Sequence, residues 1–336
     1  VGNQVELCKE YVRNTFGEAY ADRSVVFEDE GFSGGNLQLE ADLSINFVVK
    51  SEVFAAGAYS NPRVVFEITD VYDNTYRSQE VTEYTINPAN GRWQFRFSGI
   101  SPRMMKASVT ATLYGTYQGV EYSSTSLYAV TDYCYNHLNK TSNHSDTKFM
   151  TLLADLLNFG TAHQQYIGHD VDNLINAEMT DFHKSFASSY DLVLEDILDV
   201  KYEVVTSPSA SFKGAALYLS NAVVIRYIVE CVDTTDVALV LSADGEDYTI
   251  PYSEENWEPV PGKANRYYIY FSSLKARQMS TPVYAKVCRN GVAISNTAQY
   301  SIESYAAAHI NDGDNLAALM KAMMYYSKAA NAYANR

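Results

Sequence analysis

The first half of the chain alternates between apolar and polar residues in short runs, and turn residues separate these runs. Six β-rich runs follow one another: Ser44–Lys50, Arg63–Thr69, Gln79–Ile86, Trp93–Ser98, Ala107–Tyr114 and Ser124–Val130. Asn61 and Pro62, the stretch from Pro88 to Gly91, and Gly119 mark turns between them. Short strands at this spacing predict an antiparallel β-sandwich of immunoglobulin-like type.

The pattern of the first strands occurs twice. The stretch from Leu37 to Val49 reappears as the stretch from Leu217 to Val229, with apolar residues at matching places. Further along, Phe97 matches Phe271. The offset between the copies shrinks along the repeat, as deletions in loops produce while the strands stay aligned. The sequence therefore predicts two copies of one unit, in which Leu37 and Phe97 occupy the same inward positions as Leu217 and Phe271.

Each copy then changes to a helical period. From Phe149 onward, apolar residues recur at the spacing of one helix face, and Ser145 or Asp146 can cap the helix. The second copy has an equivalent stripe after Asp314. A shorter helix precedes each long one, over Asp132–Leu138 and Ser304–Ile310. Each hairpin must bury its stripe, either on its own sandwich or at the junction to the next copy.

These patterns predict a mainly β fold with α elements, namely two repeated immunoglobulin-like β-sandwiches, each followed by a helical hairpin. The predicted domains are a separate fragment over residues 1–31, the first repeat over 32–168, a connector over 169–200 and the second repeat over 201–336. We expect the connector to be semi-ordered, with a short helix over Thr180–Ser188.

Net charge and tyrosine content limit the possible classes of function. The chain carries a net charge of −15 and 28 tyrosines. It lacks the basic stripe that phosphate contacts require, so we expect no nucleic-acid partner. No apolar run reaches the roughly 18 residues of a membrane helix, so we expect no membrane insertion. Tyrosine suits both strand faces and binding surfaces, and acidity is typical of secreted or surface-displayed proteins.

Catalytic and metal-binding motifs are missing from the sequence. The six histidines form no metal-ligand spacing, and there is no nucleophile elbow or phosphate-binding loop. We therefore expect no enzyme activity, no cofactor and no metal site. His137 and His309 are repeat equivalents, which indicates a structural role in the hairpins. Cys231 and Cys288 either pair or act as small buried hydrophobic residues.

Residues 3–36 have a different origin from the rest of the chain. The run from Glu28 to Asn36, with the preceding Asn3-to-Phe27 stretch, resembles an internal part of serine recombinase catalytic domains of the resolvase type. The parts that hold that family's catalytic serine and arginines are not here, so the resemblance implies a gene fusion without recombinase activity. The pattern of this piece predicts a helix over Gln4–Phe16 and a strand over Ser24–Glu28.

The repeats resemble modules of secreted or surface multidomain proteins of anaerobic gut commensal bacteria. The stretches that carry this resemblance begin at Leu37, Phe97, Glu121, Asp132 and Leu152. Such modules accompany carbohydrate-active enzymes and surface adhesins, and some commensals display immunoglobulin-binding proteins. The resemblance implies an extracellular or cell-surface segment of a larger polypeptide.

Two functions remain open. The first is a non-catalytic binding or adhesion segment that recognises a host protein, with immunoglobulin as one candidate. The second is a carbohydrate-binding or spacer module that accompanies a glycoside hydrolase. The candidate binding residues are aromatic: Tyr84, Trp93, Trp257, Tyr267 and Tyr268. An exposed coplanar aromatic platform would favour a glycan, whereas a flat tyrosine-rich sheet face would favour a protein.

Overall fold

The computed structural model describes residues 31–38, 43–50, 60–117, 119–194, 204–219 and 223–336. The fragment predicted over residues 1–31, with its helix Gln4–Phe16 and strand Ser24–Glu28, lies outside the described residues except for its last position. The described chain divides into two compact units. The first holds the first sandwich and ends at Tyr133, while residues 101–103 and 134–336 belong to the second.

The described residues of the first unit form eight strands in two antiparallel sheets. The strands are β1 (Phe32–Gln38), β2 (Leu43–Val49), β3 (Ser60–Asp70), β4 (Thr75–Val81), β5 (Thr85–Ile86), β6 (Trp93–Ile100), β7 (Val109–Tyr117) and β8 (Val120–Tyr128). Sheet I has the order β1-β2-β6-β5, and sheet II has the order β4-β3-β7-β8. The two antiparallel sheets confirm the predicted mainly β fold, whereas the immunoglobulin-like type of the sandwich stays a prediction.

Phenylalanine rings hold the two sheets of the first unit together. Phe66 of β3 lies 5.3 Å from Phe47 of β2 and 5.4 Å from Phe97 of β6, measured between ring centroids. All three side chains are buried. Because β2 and β6 belong to sheet I and β3 to sheet II, these contacts place the hydrophobic core between the sheets.

The second unit contains the equivalent set of strands. They are β9 (Ala210–Tyr218), β10 (Val224–Cys231), β11 (Val237–Ala243), β12 (Glu246–Pro251), β13 (Trp257–Pro259), β14 (Arg266–Phe271), β15 (Val283–Arg289), β16 (Val292–Ala293) and β17 (Ala298–Tyr300). Sheet III has the order β9-β10-β14-β13, and sheet IV has the order β12-β11-β15-β16, with β17 also paired to β15. The strand order of the first unit is thus repeated.

The repeat extends to the register of individual residues. In sheet I, Ile45 pairs with Leu37 on one side and Phe97 on the other. In sheet III, Ile225 pairs in the same way with Leu217 and Phe271. Even the irregularity in the first strand recurs, since β1 bulges at Ser33 and β9 at Lys213. The predicted repeat is confirmed, although Leu37 is only half-buried.

Five helices complete the described chain. They are α1 (Val130–Leu138), α2 (Thr147–Ile167), α3 (Asp181–Lys184), α4 (Ile302–His309) and α5 (Asn315–Ala334). The two long helices, α2 and α5, pack along each other, and the rings of Phe159 and Tyr326 stack between them at 5.4 Å. The sequence predicts that the apolar stripe of α2 is buried either on its own sandwich or at the junction to the next copy. The structure has the junction, where α2 packs against the equivalent helix of the second repeat. The predicted domain boundaries themselves stay predictions.

Part of the predicted connector contacts α2 through hydrogen bonds. The side chains of Thr161 and Gln164 accept hydrogen bonds from the backbone N–H groups of Asn176 and Ile175, each at 2.9 Å. Further on, the N–H of Ser188 donates to Asp155 at 2.9 Å. These bonds satisfy polar groups on faces of α2 that would otherwise be buried without partners. They also explain why the helix predicted over Thr180–Ser188 ends at Lys184, since the chain leaves it to reach Asp155.

Both long helices begin at a capping aspartate, as predicted. The Asp146 side chain accepts from Phe149 N at 3.1 Å, and that of Asp314 accepts from Ala317 N at 2.9 Å. We expect Asp146→Ala and Asp314→Ala each to lower the free energy of unfolding by about 1 kcal/mol. Urea titration measures this loss. Asp→Asn at the same positions keeps an acceptor and should cost less than half as much, so equal losses for both substitutions would contradict the capping role.

The described cysteines are not in disulfides. Neither Cys231 nor Cys288 is in a disulfide and both are buried, so of the two alternatives the structure has the small buried hydrophobic residues. Burial raises the pKa of the Cys231 thiol. Within the described ranges, no helix combines the length and the apolar content needed to cross a membrane.

Candidate interaction surface

The outer side of sheet III presents a cluster of tyrosine rings. Strand alternation turns Ile225, Tyr227 and Val229 of β10 into the core, so their neighbours Arg226 and Ile228 point outward. Register pairs Arg226 with Tyr270 and Ile228 with Tyr268. We call the surface formed by Tyr218, Arg226, Ile228, Tyr268 and Tyr270 the tyrosine face.

The rings of the tyrosine face meet over the middle strand. Tyr218 on β9 and Tyr270 on β14 approach to 5.8 Å between ring centroids with an interplanar angle of 67°. Tyr268 lies 6.5 Å from Tyr270 at 47°. The side chains of Tyr218 and Tyr270 remain 42% and 36% exposed. This surface is therefore broad and aromatic, and its rings are inclined to one another rather than coplanar.

Arg226 stands among these rings. Its guanidinium carbon lies 4.7 Å from the centroid of Tyr268 and 5.9 Å from that of Tyr218. Such cation–π contacts stabilise an arginine side chain in an extended position on a sheet surface. The residue opposite Arg226 on β9 is Ala216, which has a small side chain.

The carboxylates of Glu258 and Glu230 on the same sheet already bind other side chains of this chain. The Tyr270 hydroxyl donates to Glu258 at 2.9 Å. Burial raises the pKa of Tyr270, and this hydrogen bond raises it further, so the hydroxyl stays a neutral donor. At the far end of the sheet, Glu230 bonds Arg266 at 2.7 Å and Lys213 at 3.0 Å. The hydrogen bond from Arg266, with that from Lys213, lowers the pKa of Glu230.

The first repeat provides a matched comparison for this surface. At the register positions of Tyr218, Arg226, Tyr268 and Tyr270, sheet I has Gln38, Asn46, Gln94 and Arg96. These side chains form an ordinary polar surface, in which Asn46 accepts from Arg96 at 3.3 Å and donates to Asn36 at 2.9 Å. The inward positions keep their apolar character in both repeats, whereas the outward positions differ in class. Packing therefore does not account for the tyrosines.

Four of the five aromatic residues predicted to bind form two equivalent pairs at the edges of the two cores. Register makes Tyr84 the counterpart of Trp257, and Trp93 the counterpart of Tyr267. Tyr84 stacks on Trp93 at 4.2 Å, and Trp257 meets Tyr267 at 5.7 Å. The Trp257 side chain is fully buried, and its Nε1 donates to Ile250 O at 3.4 Å. As placed, these pairs close the edge of each core, and a binding role for them stays a prediction.

Tyr268 is the one predicted residue that lies on the tyrosine face. Sequence reasoning missed Tyr218, Arg226 and Tyr270. A signal for two of them was present within the repeat, because Tyr218 and Arg226 occupy outward places of aligned strands where the first copy has Gln38 and Asn46. Comparing outward positions between the copies, rather than matching inward ones, would have found them.

The two equivalent histidines have structural roles. His137 Nδ1 lies 3.0 Å from Asn143 Nδ2, and His309 Nδ1 lies 2.9 Å from Asp312 Oδ2, so each equivalent histidine bonds the loop after its helix. A pocket of about 440 Å³ lies against sheet IV. Its described lining is Val240, Leu241, Ser242, Asp247, Tyr284, Lys286 and Thr297, which includes neither histidine nor cysteine.

Comparison with known proteins gives no family. Neither a family model nor a curated protein matches the chain. Among solved structures, a 1.5-MDa bacterial ice-binding adhesin aligns at 13% identity over 80% of this chain, with a TM-score of 0.18. A DUF4785 family protein from Legionella pneumophila aligns at 10% identity over 81% of this chain, with a TM-score of 0.19. A chimeric titin Z1Z2-Z1Z2 tandem aligns at 9% identity over 81% of this chain and 98% of its own, with a TM-score of 0.17.

The chain spans 63% of the adhesin chain and 56% of the Legionella chain. TM-scores this low carry no argument about fold or function. The candidate surface is therefore judged on its own geometry.

Proposed function

We propose that this chain is a non-catalytic binding segment that recognises a protein partner through the tyrosine face. The observation that carries the proposal is the contrast between the two repeats. Sheets I and III share strand order, register and apolar inward positions, yet of these two sheets only sheet III has tyrosines at the outward positions. Exposed aromatic side chains cost solubility, so their concentration on one face of one repeat indicates contact with another molecule.

The chemistry of the face suits a protein. Tyrosine and arginine are enriched at the centres of protein interfaces, because each gives a large contact area together with hydrogen-bonding groups. The tyrosine face combines three tyrosines with one arginine on a rigid sheet, which lowers the entropy lost on binding. Hydrogen bonds along β10 on both sides fix the positions of these side chains.

The proposal extends to the setting of the segment. We place it on the surface of a bacterium or in its secretions, as part of a larger polypeptide, with a host protein as partner. The resemblance of the repeats to commensal surface modules and the acidic composition support this setting. Immunoglobulin is the first purified partner to be tried.

Glycan binding is the second candidate. The observation in its favour is Tyr84, whose side chain is 40% exposed and whose ring lies nearly parallel to that of Trp93, at 8°. A sugar ring could stack on the outer side of such a ring. The pair is a single stack at the edge of a core, so it offers less area than the tyrosine face.

The test compares matched surfaces of the two repeats. We expect the double substitution Tyr268→Ser with Tyr270→Ser to weaken binding to the protein partner at least about tenfold, as loss of interface hot spots does. The matched control is Gln94→Ser with Arg96→Ser, at the same register positions of the first repeat, which should leave affinity unchanged. Surface plasmon resonance against immunoglobulin and fractionated serum and mucus proteins measures both.

Two results would contradict the proposal. One is a tyrosine variant that binds as tightly as wild type, or that loses no more affinity than the control variant, which would mean that binding does not depend on the tyrosine face. The other is specific binding on a glycan array that Tyr84→Ala abolishes, without any protein partner. That second result would favour the glycan candidate.

A further inference from the structure

The charge of Arg226 is not neutralised within its own repeat. Between Ala210 and Tyr300 the chain has three other arginines, Arg266, Arg277 and Arg289. Each of them has a carboxylate oxygen within 3.2 Å. Among the described residues, no carboxylate lies within ion-pair distance of Arg226, and its buried Nε has no hydrogen-bond partner. Within the described part of this repeat, Arg226 is therefore the arginine without a carboxylate partner, and its charge can pair with a group outside the chain.

The surroundings of Arg226 favour a carboxylate from a second molecule as its partner. Its side chain is half-buried among tyrosine rings, so water satisfies the guanidinium less fully than it satisfies a fully exposed one. A planar guanidinium offers parallel N–H donors that match a carboxylate, and the bond is stronger where water is partly excluded. The nearest carboxylate on the sheet, Glu258, already accepts from Tyr270.

The outer side of sheet III also differs in charge from the chain as a whole. Its strands present the cations Lys213, Arg226 and Arg266 against the carboxylates Glu230 and Glu258, so cations outnumber carboxylates there. The whole chain has a net charge of −15. The net negative charge of the whole chain would repel an acidic partner, whereas the strands of sheet III carry more cations than carboxylates.

We propose that the tyrosine face binds an acidic protein segment, and that a partner aspartate or glutamate pairs with Arg226 at its centre. This inference rests on the proposed function and adds the chemistry of the partner. A protein segment is favoured over an acidic sugar because the tyrosine rings around Arg226 are inclined at 47° and 67°. They form no parallel platform for a sugar ring, whereas inclined rings fit the side chains of a peptide.

The experiment uses the full chain and an array of short synthetic peptides in matched pairs. One member of each pair contains aspartate or glutamate, and the other has asparagine or glutamine at the same places. We expect the wild-type chain to bind a subset of the acidic peptides at least about tenfold more tightly than their amide counterparts. Raised salt should reduce the preference without abolishing it, because the Arg226 contact is only partly screened.

Substitutions at Arg226 then test the assigned contact. Arg226→Gln should bring each acidic peptide and its amide counterpart to within about twofold of each other. Arg226→Lys should give an intermediate preference, since it keeps the charge but loses the planar pair of donors. The control is Arg96→Gln, an outward arginine of the first repeat, which should leave the preference intact. Thermal melts of every variant confirm that it is folded.

The outcomes separate this inference from the proposed function. If acidic and amide peptides bind alike, and Tyr268→Ser with Tyr270→Ser still abolishes binding, the inference fails while the proposed function stands. If binding survives the tyrosine substitutions, the proposed function fails. Binding to no peptide, or Arg226-dependent binding to sialylated or uronic-acid glycans instead, overturns the inference.

Discussion

Phe159→Ala is expected to lower the free energy of unfolding of the second unit by about 3–5 kcal/mol. Phe159 is fully buried in α2, and its ring stacks on that of Tyr326 in α5 at an angle of 12°. Removing it leaves a cavity that two long, close-packed helices can fill only in part. The stacked pair also loses the ring contact itself, which adds to the cost of the lost burial.

Urea denaturation of the full chain, followed by circular dichroism at a helix wavelength, measures this loss. The control is Gln165→Ala, an exposed position near the end of the same helix, which should change the stability by less than about 0.5 kcal/mol. An unchanged midpoint for Phe159→Ala would mean that α2 and α5 do not stabilise each other in solution.

The sequence was most informative where a residue's neighbours are fixed by periodicity. The strands, the repeat and the caps of the long helices all follow from local pattern. Strand alternation decides that Phe97 and Phe271 point inward, and an aspartate before a helical stripe has few other roles. The repeat strengthened these predictions because the same pattern occurs twice with the same spacing.

Packing between segments that are distant in sequence is harder to predict from the sequence than local structure. Nothing in the stripe of α2 distinguishes its own sandwich from a second helix, since both surfaces are apolar. The burial of Asp155 and Gln164 on other faces of α2 depends on a connector that is polar in sequence and that we expected to be semi-ordered. Polar residues in such a segment indicate exposure unless their partners are known, and those partners are distant in sequence.

The candidate binding residues show the same limit. The predicted binding residues rest on aromatic residue type alone. Residue type does not separate a tyrosine that points into the core from one that points outward. Trp257 and Tyr268 are eleven positions apart, and one is fully buried while the other lies on the tyrosine face. Register decides between them, and register becomes visible only when β13, β14 and β10 are paired.

The second large effect that we predict is a change in folding stability as the pH falls. His163 of α2 is fully buried, and neither ring nitrogen has a hydrogen bond of good geometry. Burial is the main cause that lowers the pKa of His163 from 6.5 to about 4, and the positive charge of Arg103 lowers it further. Its folded pKa is below its unfolded pKa, so the unfolded chain takes up the proton first. The stability that neutral His163 contributes is complete above pH 6.5 and is lost as the pH falls towards 4.

Asp155 acts in the opposite direction. Burial raises the pKa of Asp155 from 3.8 to about 6, although its hydrogen bonds from Ser188 act against this rise. Here the folded pKa is above the unfolded pKa, so the folded chain takes up the proton first. The contribution of Asp155 is therefore fully present below pH 3.8 and is lost as the pH rises through about 6. Between pH 6.5 and 4 the two residues oppose each other.

Single substitutions should separate these opposing effects. One pKa unit corresponds to 1.36 kcal/mol, and titration is only partial at both ends of this range, so each residue accounts for about 2–3 kcal/mol between pH 6.5 and 4. Relative to wild type, His163→Leu should gain about that much stability on acidification, and Asp155→Asn should lose about as much. Urea titrations at several pH values measure these differences, and other titrating groups cancel because every variant retains them. Parallel pH profiles for the two variants would show that neither group titrates in the folded chain as its burial requires.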